Sequence, residues 1–341
     1  MGGDHAPRAA VDGAVQASRE QGVRVVLVGQ VSKVRPLLEE HRAVREIPLV
    51  HADDTLAMDA GALASWRRPR SSVAVACQLI RNGEAVALVS AGSTGAVVAT
   101  ASVRLRPQQG VLRPALAAVL PTRPTPTVLL DAGANADVKP EMLVQFAHLG
   151  TAYAQVALGV AAPRVALLNI GSEAGKGNKL ARKTQELLSA ATAGPIPLRY
   201  IGNVEGHDLL RGAADVVVTD GFTGNVALKT LEGAVRFTAA EVRGALDGGG
   251  PFAKLGTALR RSSLRDLRER LDVEAVGGAA LLGLNGTVVI THGAATARGI
   301  ATAAALARDL SQGRITDRVR DRIAAYRTPS WLHRRGHVEE G

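Results

Sequence analysis

Lys176 stands between two glycines in the run Gly171-Ser-Glu-Ala-Gly-Lys-Gly-Asn178, directly after the apolar stretch Val165 to Ile170. A lysine on a glycine turn between a strand and a helix lets backbone N–H groups and one cation meet an anionic ligand together. A solvated surface lysine fits the same pattern. Asn225, at the end of Gly221-Phe-Thr-Gly-Asn225, is either an amide donor aimed at a ligand or a helix N-cap. The turns Gly92-Ser93-Thr94-Gly95 and Asp131-Ala-Gly-Ala-Asn135 also follow apolar runs. None of these turns carries a nucleotide fingerprint. A Walker A loop needs four residues between its glycines and Ser or Thr after its lysine, whereas Gly177 follows Lys176, and no turn spells G-x-G-x-x-G. The carboxylates form no dense cluster, so no metal or other cofactor is expected. The one cysteine, Cys77, excludes a disulfide framework and reads as a small buried hydrophobe without chemistry.

The elements that must hold these turns repeat a simple unit, an apolar run of about five residues, a glycine-rich turn and a helical pattern. It recurs at Val23 to Val28, Ala85 to Val89, Val128 to Leu130, Val165 to Ile170, Val216 to Val218 and Thr287 to Ile290. Such alternation predicts an α/β fold, a Rossmann-like open and mostly parallel sheet with helices on both faces. Ligands of such sheets bind outside the carboxyl ends of the strands, so the glycine turns are expected to line a single anion site. A protruding helical hairpin is expected over about 233–275. There a helix ends near Leu246, Gly248-Gly249-Gly250-Pro251 breaks the chain, and two short amphipathic pieces carry Lys254, Arg260, Arg261, Arg265, Arg268 and Arg270. That hairpin is either a solvated element packing its leucines or a docking surface. Residues 1–326 are expected to form a single α/β domain, and the polar stretch 327–341 a disordered tail.

Hydrophobic residues make up 46% of the 341 but aromatics only 3%, so the core must be built from Ala, Val and Leu between layers. The formal charge of +10 points to an acidic partner. Nucleic acid is not expected, because the few aromatics are scattered and no recognition module is present. The start, Met1-Gly2-Gly3-Asp4-His5, lacks the basic and apolar regions of a signal peptide. The uncharged runs Ala85 to Val103 and Val276 to Ala297 hold glycines and polar residues at their middles, so neither reads as a membrane span. A reducing, cytoplasmic setting follows.

The wording of the turns then becomes specific. Met1-Gly-Gly-Asp-His-Ala-Pro7, Ser90-Ala-Gly-Ser-Thr-Gly-Ala96, Arg113-Pro-Ala-Leu-Ala117 with Leu120-Pro-Thr122, and Asp131-Ala-Gly-Ala-Asn135 with Lys139-Pro-Glu141 come first in the chain. Asn169-Ile-Gly171 with Gly175-Lys-Gly-Asn178, Ile201-Gly-Asn-Val-Glu-Gly206, Asp220-Gly-Phe-Thr-Gly-Asn225 and Gly277-Gly-Ala279 with Leu281-Leu-Gly-Leu-Asn-Gly286 follow. Together these blocks resemble the bacterial acyl-carrier-protein-dependent phosphate acyltransferases of phospholipid synthesis, over residues 1 to about 310. In that family an apolar strand precedes the first block, so the first strand is expected to be missing here. Ala294-Ala295 after His292-Gly293 replaces residues that are commonly serine, which argues against a hydroxyl-dependent role for that loop.

The resemblance implies acyl transfer from acyl-acyl-carrier protein to inorganic phosphate, giving acyl phosphate. Lys176 would bind phosphate and stabilise charge, and Asn225 would donate to the oxyanion or to phosphate. Gly92, Ser93, Thr94, Gly95, Asn135, Gly175 and Gly177 would complete the phosphate site, supported by Asp4, His5, Asn178 and Asp220. Lys254, Arg260, Arg261, Arg265 and Arg268 would dock the carrier protein or a membrane. A homodimer is implied, with peripheral contact at the inner face of the cell membrane or with a membrane glycerol-3-phosphate acyltransferase. The alternatives are a phosphotransacetylase-like enzyme using acyl-coenzyme A, a nucleotide-dependent dehydrogenase-like activity, and a non-catalytic regulator that binds acyl-carrier protein.

Overall fold

Val128, Leu129 and Leu130 are all fully buried, which a strand achieves only when both faces of its sheet are covered. The computed structural model describes residues 1–56, 67–194, 196–247 and 277–326. In chain order the elements are α1 (Arg8–Gln21), β1 (Leu27–Gly29), α2 (Val31–Glu40), β2 (Leu49–His51), α3 (Ser72–Arg81), β3 (Ala87–Ser90), α4 (Thr94–Leu105), β4 (Ala115–Leu120), β5 (Thr127–Leu130) and α5 (Pro140–Ala157). They continue as β6 (Arg164–Leu168), α6 (Lys179–Ala191), β7 (Arg199–Val204), β8 (Val216–Val218), α7 (Gly221–Asp247), β9 (Ala279–Leu282), β10 (Thr287–Ile290), α8 (Ala297–Gln312) and α9 (Ile315–Ala325).

Eight strands form one sheet in the order β3-β10-β9-β4-β5-β8-β6-β7. The pairs β3–β10, β5–β8, β8–β6 and β6–β7 are parallel, so the sheet is mostly parallel as expected. The glycine-turn pattern did not foresee β4 and β9, which sit side by side mid-sheet and are antiparallel to every neighbour. The apolar run at Val23 to Val28 yields only the short β1, which pairs in parallel with β2 in a separate two-stranded sheet.

Side chains alternate between the two faces with the period of two that a strand imposes. Val128 and Leu130 join one core with Val165, Leu167, Val216 and Val218, under α5. Leu129, Ala166 and Val217 face the opposite side with Leu228 and Leu231 of α7. Helix α5 is buried continuously from Leu143 to Ala154, as an apolar helix pressed between a sheet and its neighbours must be. Helices therefore cover both faces.

Helix α7 runs past the body. Glu232 is buried, and from Gly233 to Gly244 every residue except Val235 is exposed. At about 1.5 Å per residue, the stretch from 233 to 247 extends roughly 22 Å. The excursion expected at about 233–275 includes this exposed stretch of α7. Residues 248–276 lie outside the described residues, and with them Lys254, Arg260, Arg261, Arg265 and Arg268, as does the expected tail at 327–341. Among the described residues no helix is long and apolar enough to cross a membrane.

Candidate active site

The strand directions decide which turns can share a ligand. Three successive antiparallel pairings, β10–β9, β9–β4 and β4–β5, leave β3 and β10 running opposite to β5, β8, β6 and β7. The carboxyl ends of the two groups therefore open on opposite edges of the sheet. Strands β3 and β5 are also four spacings apart, roughly 19 Å at about 4.8 Å each. The glycine turns therefore leave opposite ends of the sheet, while Ala134 of the turn after β5 and Leu228 of α7 pack on the same buried cluster as Ala96 and Val97 of α4. Gly92, Ser93, Thr94 and Gly95 stand on one edge with Asp4 and His5, whereas Asn135, Gly175, Lys176, Gly177, Asn178, Asp220 and Asn225 stand on the other.

On the second edge, the buried Asp131 carboxylate organises the turn after β5. Its Oδ1 accepts from the N–H groups of Leu116, Gly133 and Ala134 at 3.0, 3.1 and 2.9 Å. Its Oδ2 accepts from Asn135 N and Asn135 Nδ2, both at 2.8 Å. Burial pushes this carboxyl above its ordinary range, and those hydrogen bonds oppose the push. The other Asn135 Nδ2 proton goes to Pro114 O at 2.8 Å, so the Asn135 amide is a structural clamp with no N–H left for phosphate.

Helix α7 is seated on this turn. Gly221 N donates to Asn135 O at 2.8 Å, and a Cβ on Gly224 would strike the Asp131 carbonyl oxygen. Asp220 accepts from Thr223 N and Thr223 Oγ1, each at 2.8 Å. It thus caps the helix with its own carboxylate and occupies the place an anion would take. Asn225 lies against Gly133, exposed and with its amide unpaired among the described residues.

The lysine turn is held by amide side chains. Asn169 Nδ2 donates to Lys176 O at 2.9 Å, and Asn203 Nδ2 to Glu173 O at 3.2 Å. Gly175 and Gly177 have φ of +85° and +94°, where a side chain is strained, and a Cβ on Gly177 would meet Asn169 Oδ1. Asn178 is the N-cap of α6, accepting from Ala181 N at 2.8 Å. Lys176 itself is exposed and forms no ion pair among the described residues.

The first edge is differently built. Helix α4 starts at Ser93 without any side-chain cap, so the N–H groups of Thr94, Gly95 and Ala96 have no protein partner among the described residues. Three backbone segments converge beside them. Gly2 packs on Gly92, where an added Cβ would lie 2.7 Å from Gly92 Cα. Gly3, at φ +108°, fits between Ala91 and the carbonyl of Gly293, and Asp4 N donates to that same carbonyl at 2.7 Å. Thr291 N reaches Ser90 O at 2.9 Å. Asp4 and His5 are exposed; Asp4 reaches the turn after β10 through its backbone, and the His5 carbonyl accepts from Ala9 N at 3.1 Å.

A family model described as "Fatty acid synthesis protein" matches residues 1–318. The chain is 65% identical over 341 residues to a phosphate acyltransferase of Thermobifida fusca, covering 100% of this chain and 94% of that protein. It is 44% identical to a phosphate acyltransferase of Heliobacterium modesticaldum, covering 90% and 91% of the two chains. Among solved structures, a phosphotransacetylase from Streptococcus pyogenes superposes with a TM-score of 0.62 at 18% identity, over 90% of this chain and 92% of that one. The EutD phosphotransacetylase from Staphylococcus aureus gives 0.58 at 15% identity, over 89% and 91%. Those two structures share the fold.

Proposed function

The chain belongs to the family of the phosphate acyltransferases and is an acyltransferase, and from that premise we propose that it moves a fatty acyl group from acyl-acyl-carrier protein to inorganic phosphate. The observation that carries the reading is the 65% identity, over the full chain, to the Thermobifida fusca phosphate acyltransferase. The product, acyl phosphate, would serve phospholipid synthesis. A phosphate oxygen attacks the thioester carbon, a tetrahedral oxyanion forms, and the C–S bond breaks. The electron pair leaves on sulfur, which takes up the proton lost by phosphate.

Phosphate is assigned to the first turn of α4, at Gly92, Ser93, Thr94 and Gly95. A helix start with unused N–H groups and no carboxylate of its own favours an anion. At α7 that place is filled by Asp220. A second reading places the chemistry at Lys176 and Asn225, and its support is an exposed lysine and an exposed amide that have no protein partner among the described residues. The basic hairpin cations are assigned to recruiting the acidic carrier.

Purified protein is supplied with acyl-acyl-carrier protein, and phosphate-dependent release of the carrier thiol is followed. Ser93→Asp gives α4 the same carboxylate cap that Asp220 gives α7, so the helix stays intact while the KM for phosphate rises at least about tenfold. Lys176→Ala stays within about threefold of wild type. A loss on the order of a hundredfold in Lys176→Ala, with Ser93→Asp unaffected, moves the reaction to the other edge. No phosphate-dependent release from the wild type rejects the proposed activity.

A further inference from the structure

His292 follows β10 on the α4 edge of the sheet, and its Nδ1 is 3.1 Å from the backbone N–H of Ala294. A backbone N–H can only donate, so Nδ1 supplies the lone pair and the neutral ring carries its proton on Nε2. The ring is exposed, and Nε2 has no partner among the described residues. Its position is tied to the phosphate turn by backbone contacts. Ile290 and Ser90 are in register, Thr291 N donates to Ser90 O, and the Gly3 backbone bridges Ala91 and Gly293.

We infer that His292 is a further catalytic residue, whose Nε2–H donates a hydrogen bond to the thioester carbonyl oxygen as it becomes an oxyanion. This rests on the reading that phosphate sits at the start of α4. That helix start supplies donors for the phosphate, but the carbonyl oxygen needs a donor of its own, preorganised where negative charge develops. The Ala294 N–H provides the preorganisation. It selects the tautomer and fixes the ring plane without a carboxylate partner, and it needs no hydroxyl from Ala294 or Ala295. No proton moves through the imidazole in this role, since the proton lost by phosphate is the one that the leaving sulfur gains.

Two substitutions separate the donor role from a merely structural one. In His292→Asn the amide oxygen can replace Nδ1 and keep the bond from Ala294, but nothing reaches the Nε2 position. In His292→Gln the amide nitrogen reaches that position, and the bond to Ala294 is lost. A catalytic Nε2–H predicts a kcat about a hundredfold lower in His292→Asn and within about tenfold of wild type in His292→Gln, with the KM for the acyl donor changed less than about threefold in both. The reverse order, or equal kcat values in the two variants, overturns the inference. A second readout does not depend on turnover. In long-range ¹H–¹⁵N spectra of the wild-type protein, adding inorganic phosphate should shift the His292 ring resonances, and Ser93→Asp should abolish the shift. A shift that persists in Ser93→Asp displaces the phosphate reading, whereas no shift in the wild type removes His292 from the site.

Discussion

Gly3→Ala is the most informative single perturbation of the α4 edge. Gly3 has φ +108°, a region that side chains rarely adopt, and a Cβ there would lie 3.0 Å from Ala91 Cβ and 3.1 Å from Gly293 O. Two penalties combine. The backbone conformation costs of order 1–3 kcal/mol for a non-glycine residue. Overpacking against two neighbours, one of them a backbone atom, adds about 1–3 kcal/mol unless the segment moves. The cheaper response is for residues 1–4 to lift off the turns after β3 and β10 by a few tenths of an ångström or more, which displaces Gly92 and His292 relative to each other. Misplacements of around 1 Å near reacting groups reduce turnover about a hundredfold, so kcat should fall between about ten- and a hundredfold while the global unfolding midpoint changes modestly. Gly83→Ala is the matched control. Gly83 has φ +76° but nothing within 4 Å of an added Cβ, so it carries the conformational strain without the crowding. Urea unfolding and phosphate-dependent carrier release are measured on both variants. Wild-type kcat in Gly3→Ala, or an equal loss in Gly83→Ala, refutes the claim that the packing of these glycines sets the geometry of the edge.

Asp131→Asn should lower stability by about 2–4 kcal/mol in urea unfolding, because an NH2 group would face the two Asn135 donors that Oδ2 now accepts; a change under about 0.5 kcal/mol would mean that the turn does not depend on the carboxylate. His148 is 1% exposed with both ring nitrogens unpartnered among the described residues, faces Tyr326 at 4.5 Å, and has its pKa pushed down to about 3 by burial and then by Arg322. The unfolded chain therefore binds a proton below about pH 6.5 that the folded chain does not, and stability should fall by up to about 1.4 kcal/mol per pH unit between about pH 6.5 and 3. His148→Phe should flatten that part of the profile, and an unchanged slope would assign the acid sensitivity to other groups. Burial pushes the Cys77 thiol up to about 12, so iodoacetamide at pH 8 should label it only after unfolding; rapid labelling of the native protein would contradict its packing.

The sequence by itself determined the layer architecture and the turns. Val128 to Leu130, Val216 to Val218 and Thr287 to Ile290 are short, continuous apolar runs followed by glycine turns, a pattern set locally by side-chain burial and by the φ angles that a tight turn needs. Strand β4 was not legible there, because Arg113-Pro-Ala-Leu-Ala117 reads as a motif rather than as a run between turn signals. The role of Asn135 was also hidden. Asp131, two residues before Gly133 and four before Asn135, was the available signal of a turn folded around a carboxylate, but only the buried position of that carboxylate turns the asparagine from a phosphate donor into a clamp. Strand direction was decided by tertiary structure alone. Whether a strand pairs parallel or antiparallel depends on partners far away in the chain, and the antiparallel insertion of β4 and β9 reverses one part of the sheet against the other. Turns that look equivalent along the sequence, at Gly92 after β3 and at Lys176 after β6, thereby leave opposite ends of the sheet.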